Sequence, residues 1–156
     1  MNVESYLVSK DIEFKKHEHP AVFTCEEAEE HCGMIPGLAC KNLFLRNKKK
    51  TRFLLVVLSA KKQADLKKVS ELAGDKFGFA SPDLLKEKLD LEPGSVSPFG
   101  LLNNHEHDVE VYVDETVYHA DIVSFHPNRN TATLELTGPM FQKFLEIIPN
   151  SVTLLR

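Results

Sequence analysis

The stretch that most constrains this chain is a pair of apolar runs joined by three lysines. Residues 41–47 read KNLFLRN and residues 51–59 read TRFLLVVLS, with Lys48, Lys49 and Lys50 between them. The six unbroken apolar residues Phe53 to Leu58 suit a buried strand. They are far short of the roughly 20 needed to span a bilayer. Two such runs around a short charged turn read as a hairpin. In the first strand, alternation puts Lys41, Leu43 and Leu45 on one face and Asn42, Phe44 and Arg46 on the other. A lysine therefore heads an apolar row. Turned inward, its ammonium loses water and needs an anion or a polarised oxygen as compensation. A compact point charge suits a carbonyl or phosphate oxygen. Turned outward, it snorkels to solvent from the strand end.

The remaining punctuation fixes the other elements. Residues 3–10 read as a short helix anchored by Tyr6 and Leu7, and residues 12–20 as extended chain ending at Pro20. Thr24 and Glu27 form a capping box for a helix that Gly33 stops. Asp65 caps a helix through Ala73, before Gly74. Ser81-Pro82 opens another that runs to about Asp90. A glycine- and proline-punctuated loop follows, from Glu92 to Asn104. Residues 109–114, 121–126 and 131–137 alternate as strands of an antiparallel meander. Thr137 caps a last helix to about Ile148, and residues 152–155 form a closing strand. The pattern predicts one α+β domain over residues 1–156, a mixed, mostly antiparallel sheet flanked by helices. Its 156 residues suffice for a core without staples.

Charge separates the chain into two parts. The net charge is −4, yet the segment Lys41 to Lys68 carries ten basic residues against Asp65 alone. That segment is +9, which leaves −13 elsewhere. It reads either as a solvated hairpin tip and helix face, or as a phosphate-docking edge on an otherwise acidic protein. The three cysteines, Cys25, Cys32 and Cys40, are odd in number. The first residues carry no signal-type apolar stretch, so free thiols in a reducing cytoplasm are expected. Cys25 and Cys32 lie seven apart on one helix face and read as packing residues.

Several reaction classes lack their signatures. There is no Gly-x-Ser-x-Gly elbow and no glycine-rich phosphate cradle ahead of a helix. His17 and His19, like His105 and His107, form pairs without a third ligand at a zinc spacing, so no metal is expected. Gly94-Ser95-Val96-Ser97-Pro98 is different. Glycine lets backbone approach a ligand, and proline stiffens the far end. Such a loop can present N–H and C=O groups to a small polar substrate, or serve only as a connector. His126 ends a strand before Pro127-Asn128 turns the chain, as a site residue or a turn-satisfying one.

Five blocks together carry a resemblance: residues 19–28 (HPAVFTCEEA), 41–50 (KNLFLRNKKK), 79–89 (FASPDLLKEKL), 93–103 (PGSVSPFGLLN) and 125–136 (FHPNRNTATLEL). In this order they resemble the YbaK/prolyl-tRNA-synthetase-associated domain family, and within it the freestanding prolyl-tRNA editing group. The resemblance implies an enzyme without a cofactor that hydrolyses the ester of mischarged tRNA(Pro), foremost Ala-tRNA(Pro), as a trans-editing step. The alternatives are a non-catalytic tRNA- or amino-acid-binding homologue, and a deacylase for another misacylated tRNA such as Cys-tRNA(Pro). It implies Lys41 as the deacylation residue, and Thr24, Asn42, Gly94, Ser95, Val96, Ser97, Pro98 and His126 as substrate-binding residues. The basic residues Arg46, Lys48, Lys49, Lys50 and Arg52 are then expected to meet acceptor-stem phosphates. Expected partners are the tRNA acceptor end and prolyl-tRNA synthetase, with no membrane and no DNA. The chain departs from the family's usual pattern at Asn104, where an amide stands in place of a carboxylate.

The implied chemistry is consistent with the missing triad. A proline site rejects alanine weakly, because a missing methylene changes binding by only about 1–3 kcal/mol. A second sieve must remove the error. An aminoacyl ester is already activated, so positioning and charge stabilisation suffice for hydrolysis.

Overall fold

A computed structural model describes residues 2–21 and 37–156. Helix α1 (Val3–Ser9) is capped by Asn2, whose side chain accepts from the Ser5 N–H. It buries Val3 and Leu7, and the expected anchor Tyr6 is half-buried against the same core. Of residues 12–20 only Lys15–Glu18 form a strand, β1. The predicted helix begun at Thr24, with Cys25 and Cys32, lies outside the described residues. Strand β2 (Leu38–Asn47) starts three residues earlier than expected, and β3 (Phe53–Ser59) returns beside it.

Helix α2 (Leu66–Ala73) follows, with Asp65 accepting from the Lys68 N–H and Gly74 left-handed at its end. Strand β4 (Phe77–Phe79) is not among the expected elements, being too short to show alternation in sequence. Helix α3 (Pro82–Leu89) has Ser81 as cap and Pro82 at its first turn. A 3-10 turn spans Pro98–Asn103. Then come β5 (Val109–Asp114), the short α4 (Glu115–Tyr118), β6 (Ile122–Phe125), β7 (Ala132–Thr137), α5 (Gly138–Ile147) and β8 (Val152–Leu155). Thr137 occupies the cap position of α5, but its side chain makes no cap bond.

The strands form one eight-stranded sheet in the order β1-β7-β6-β2-β3-β5-β8, with β4 attached to β2. The pairings β1–β7, β2–β3, β2–β4 and β6–β7 are antiparallel. The pairings β2–β6, β3–β5 and β5–β8 are parallel. The expected three-strand meander is therefore corrected. Only β6 and β7 form a hairpin, because α4 carries the chain away from β5 before β6 begins.

Burial is two-sided around β3, as its apolar run demands. Leu55 and Val57 enter a large core with Phe99, Phe141, Phe144 and residues of α1 and α3. Leu54, Val56 and Leu58 pack on the opposite face against Val69 of α2 and Leu155. Among the described residues, none of the helices is long and apolar enough to cross a membrane.

Candidate active site

Strand β2 is shared by two ladders along one edge. Leu38 and Ala39 pair in parallel with Val123 and Ser124 of β6. Leu45, Arg46 and Asn47 pair with Phe79, Gly78 and Phe77 of β4. Between them the sheet forks, and the Phe44 carbonyl accepts from the Ala80 N–H as the β4 side closes. Lys41 and Asn42 sit at this fork.

Consecutive strand residues point to opposite faces. Asn42 takes the face of the large core and donates through Nδ2 to the Val96 carbonyl at 3.3 Å. Its Oδ1 is buried and has no hydrogen-bond partner among the described residues. Lys41, half-buried, takes the other face with Ala39 and Leu43. It makes no hydrogen bond or ion pair among the described residues. Lys41 on β2 and His126 after β6 each stand two residues beyond the last parallel pair, Ala39↔Ser124, on the two arms of the fork. The same face holds Ser124, Glu135, Thr133 and His17, which are linked by cross-strand pairing. Lys41 thus stands between this polar row and the apolar Leu43 and Leu58 of its own face, while Leu134 and Leu136 line the core behind the polar row.

His126 is fixed by geometry. Its Nδ1 lies 2.9 Å from the Ala132 carbonyl, which can only accept. The proton is therefore on Nδ1, and Nε2 carries the free lone pair. Burial pushes the imidazole below its ordinary range; the Ala132 hydrogen bond opposes this, and His19 nearby adds to the lowering. Burial thus favours the neutral ring. The His19 ring lies 5.9 Å away. Its Nε2 is 2.8 Å from the Thr133 hydroxyl and its Nδ1 is 2.8 Å from the Pro20 carbonyl. His17 reaches Glu135 at 3.1 Å. Both residues of the first histidine pair are thus tied to β7, and His19 stands beside His126.

The loop from Gly94 to Pro98 is held from two sides. Gly94 has φ 92°, a conformation that glycine adopts without strain. Ser95, Ser97 and Pro98 are buried, and Val96 is half-buried. The Ser97 hydroxyl accepts from the Phe99 N–H at 3.2 Å and donates to Asn128 Oδ1 at 2.9 Å. Asn128 also donates from Nδ2 to the Phe99 carbonyl at 3.3 Å. Asn42 and Asn128 therefore clamp the loop between β2 and the turn after β6. Asn128 sits at φ 63°, where asparagine is among the few tolerated side chains. Pro127-Asn128 was legible in sequence as a turn, but the reach of its side chain to Ser97 was not. Thr24 lies outside the described residues.

The basic hairpin divides into two kinds of residue. Lys48, Lys49 and Lys50 are exposed on a turn organised by the buried Asn47, whose Oδ1 accepts from the Thr51 and Arg52 N–H groups. Arg46 is half-buried beside β4. Arg52 is engaged within the fold. It pairs with both Glu110 oxygens at 2.9 and 3.0 Å, donates to the Ala73 carbonyl at 2.8 Å, and lies 5.3 Å from the Phe77 ring centre. Cys40, between Ala39 and Lys41, is an inert thiol, which burial pushes up to about 12.

Asn104, the departure noted above, is buried away from this fork. Its Oδ1 accepts from the Val109 N–H and from Asn150, and its Nδ2 donates to Asp108 at 2.9 Å. An amide is required by that last bond; a carboxylate there would face a second carboxylate.

Residues 19–144 match the model of the aminoacyl-tRNA editing domain. The chain is 35% identical over 156 residues to the prolyl-tRNA editing protein ProX of Acetoanaerobium sticklandii, covering 97% of this chain and 95% of that one. It is 34% identical over 146 residues to prolyl-tRNA synthetase associated domain-containing protein 1 of Danio rerio, covering 92% and 79%. Among solved structures, one described as a candidate trans-editing enzyme for prolyl-tRNA synthetase superposes with a TM-score of 0.74 at 24% identity, over 99% of this chain and 94% of that one. A hypothetical protein superposes with a TM-score of 0.77 at 20% identity, covering 97% and 96%. At those identities the structural likeness is one of fold. The sequence matches go further, and by them this chain belongs to the aminoacyl-tRNA editing domain family.

Proposed function

We propose that this protein is a trans-editing deacylase that hydrolyses the aminoacyl ester of mischarged tRNA(Pro), with Ala-tRNA(Pro) as its substrate. The observation that carries the reading is the fork in the sheet. There an ammonium, Lys41, and an imidazole, His126, each stand two residues beyond the last β2–β6 pair, and a clamped small-residue loop adjoins on Asn42. Near-full-length identity to a protein named for prolyl-tRNA editing supports it.

In this mechanism Lys41 holds a phosphate or carbonyl oxygen of the aminoacylated end, where charge grows as the ester is attacked. His126 Nε2, unprotonated and free, accepts a proton from the attacking water. Water oxygen bonds to the carbonyl carbon, the bond to the ribose oxygen breaks, and that oxygen takes the proton from His126, which returns to its neutral form. Backbone groups of Gly94 to Pro98 hold the α-amino group. In this reading the loop lines a sieve that admits alanine and excludes a bulkier side chain. Lys48, Lys49 and Lys50 face the acceptor-stem phosphates, while Arg52 braces the hairpin that presents them. A complex with prolyl-tRNA synthetase is a separate part of the proposal, tested by sedimentation with that enzyme.

The decisive experiment is deacylation of a panel of Ala-, Ser-, Cys- and Pro-tRNA(Pro) by wild type and Lys41→Ala. The expected result is preference for Ala-tRNA(Pro) and a fall of about 100- to 1,000-fold in the variant, with its far-UV circular dichroism unchanged. A fully active variant removes Lys41 from the mechanism. A wild type inert on the whole panel but able to bind tRNA establishes the non-catalytic alternative.

A further inference from the structure

One large aromatic side chain is exposed where a fold of this size would normally bury it. Phe79, the last residue of β4, is 59% exposed, although Phe77 on the same strand and face is buried. Phe79 has no aromatic partner among the described residues. Among the described residues β4 pairs only with β2, so its outer edge is open.

The register gives this ring a direction and a distance. Phe79 pairs with Leu45, and paired residues share a face. Leu45, Leu43 and Lys41 follow one another on that face, so Phe79 lies on the same side of the sheet as Lys41 and His126. Four residues of β2 separate the two levels, which is about 13 Å at roughly 3.3 Å per residue. On the opposite side of β4, the Arg46 guanidinium reaches over Gly78. Its Nη1 lies 3.9 Å from where a Cβ would stand. The edge therefore offers an aromatic face on one side and a cation on the other, within the segment that carries the chain's excess positive charge.

An aromatic plane at a strand edge with a guanidinium across that edge suits unpaired nucleotides: bases stack on the ring and phosphates meet the cation. A span of about 13 Å corresponds to about four stacked nucleotides at roughly 3.4 Å each. We propose that Phe79 is a stacking platform for an unpaired nucleobase of the 3′ end of the RNA substrate, a few nucleotides before the aminoacylated terminus, with Arg46 on the adjoining phosphate. The inference rests on the deacylase reading of the Lys41 fork and adds a subsite to it.

The chain contains no tryptophan, so Phe79→Trp introduces a single reporter. Its fluorescence is titrated with an acceptor-stem RNA hairpin carrying an unpaired 3′ tail, and with the same hairpin made blunt. The platform predicts quenching by the tailed RNA alone. Phe79→Ala should bind the tailed hairpin about 5- to 150-fold more weakly and the blunt one as wild type does, with Phe79→Tyr restoring affinity. In deacylation the loss should fall on KM. If Phe79→Ala binds and hydrolyses like wild type, while wild type remains active, the platform is wrong and the deacylase reading stands. If wild type binds neither hairpin and leaves Ala-tRNA(Pro) intact, both fall.

Discussion

Asn128 offers the sharpest test of the loop clamp, because two of its properties can be separated by substitution. Its side chain accepts from the fully buried Ser97 hydroxyl and donates to the Phe99 carbonyl. Its backbone is left-handed, at φ 63°. Asn128→Gly removes both hydrogen bonds but keeps the conformation free of strain. Leaving the Ser97 hydroxyl with its partner deleted costs about 1–3 kcal/mol; the longer bond to Phe99 adds little. Asn128→Ala removes the same bonds and adds the left-handed penalty, about 1–2 kcal/mol. Urea unfolding should thus rank wild type above the Gly variant and the Gly variant above the Ala variant. The catalytic effect should exceed the stability effect. A loop released from one side shifts against the fork, and a displacement near 1 Å costs on the order of 100-fold in rate. Deacylation of Ala-tRNA(Pro) is measured at a temperature where all three proteins are folded. Equal activity in wild type and Asn128→Gly would refute the clamp. Equal stability of the Gly and Ala variants would refute the backbone part of the argument.

Two further predictions concern charge. Because burial lowers the His126 pKa, the unfolded chain takes up the proton first as pH falls; stability contributed by this residue is complete above about 6.5 and is lost below it. Urea unfolding from pH 7.5 to 5 should show that acid loss in wild type and not in His126→Gln, and the acid limb of deacylation should lie below the ordinary imidazole range; parallel stability curves would contradict the buried neutral ring. In the hairpin, replacing Lys48, Lys49 and Lys50 with Gln should reduce the salt slope of tRNA binding by up to about 3 without changing stability. Arg52→Gln should instead cost roughly 1–3 kcal/mol of stability and leave that slope unchanged, with an altered slope counting against its assignment as a brace.

How much of this was legible in sequence depends on the range of the interaction. Caps were local and could be read: Asp65 and Ser81 each accept from the N–H three residues on. The buried hairpin strand was legible from its apolar run, and the two-sided core confirms the burial. Parallel pairings left no local signal. Nothing around Val109–Asp114 announces that it lies between β3 and β8, so it read as part of a meander. Arg52 read as one more cation of the turn, because Glu110 and the Ala73 carbonyl are distant in sequence. Asn128 escaped for the same reason: its hydroxyl partner is thirty-one residues away.

The lysine that heads an apolar row is resolved by its neighbour. Lys41 and Asn42 are adjacent, and a strand sends adjacent side chains to opposite faces. One residue alone could not both fasten the Gly94–Pro98 loop and stand free for a substrate. Here Asn42 takes the first task, with its amide on Val96, and Lys41 is left without a protein partner among the described residues. The fork makes this division possible. A continuous sheet would bind another strand against Cys40–Phe44, whereas here β6 leaves after Ala39 and β4 arrives only at Leu45. The opening is set by where two strands end, so its width depends on backbone register rather than on any one side chain. An opening built on register tolerates side-chain change around it. This is consistent with a chain that shares only about a third of its residues with relatives across nearly its whole length.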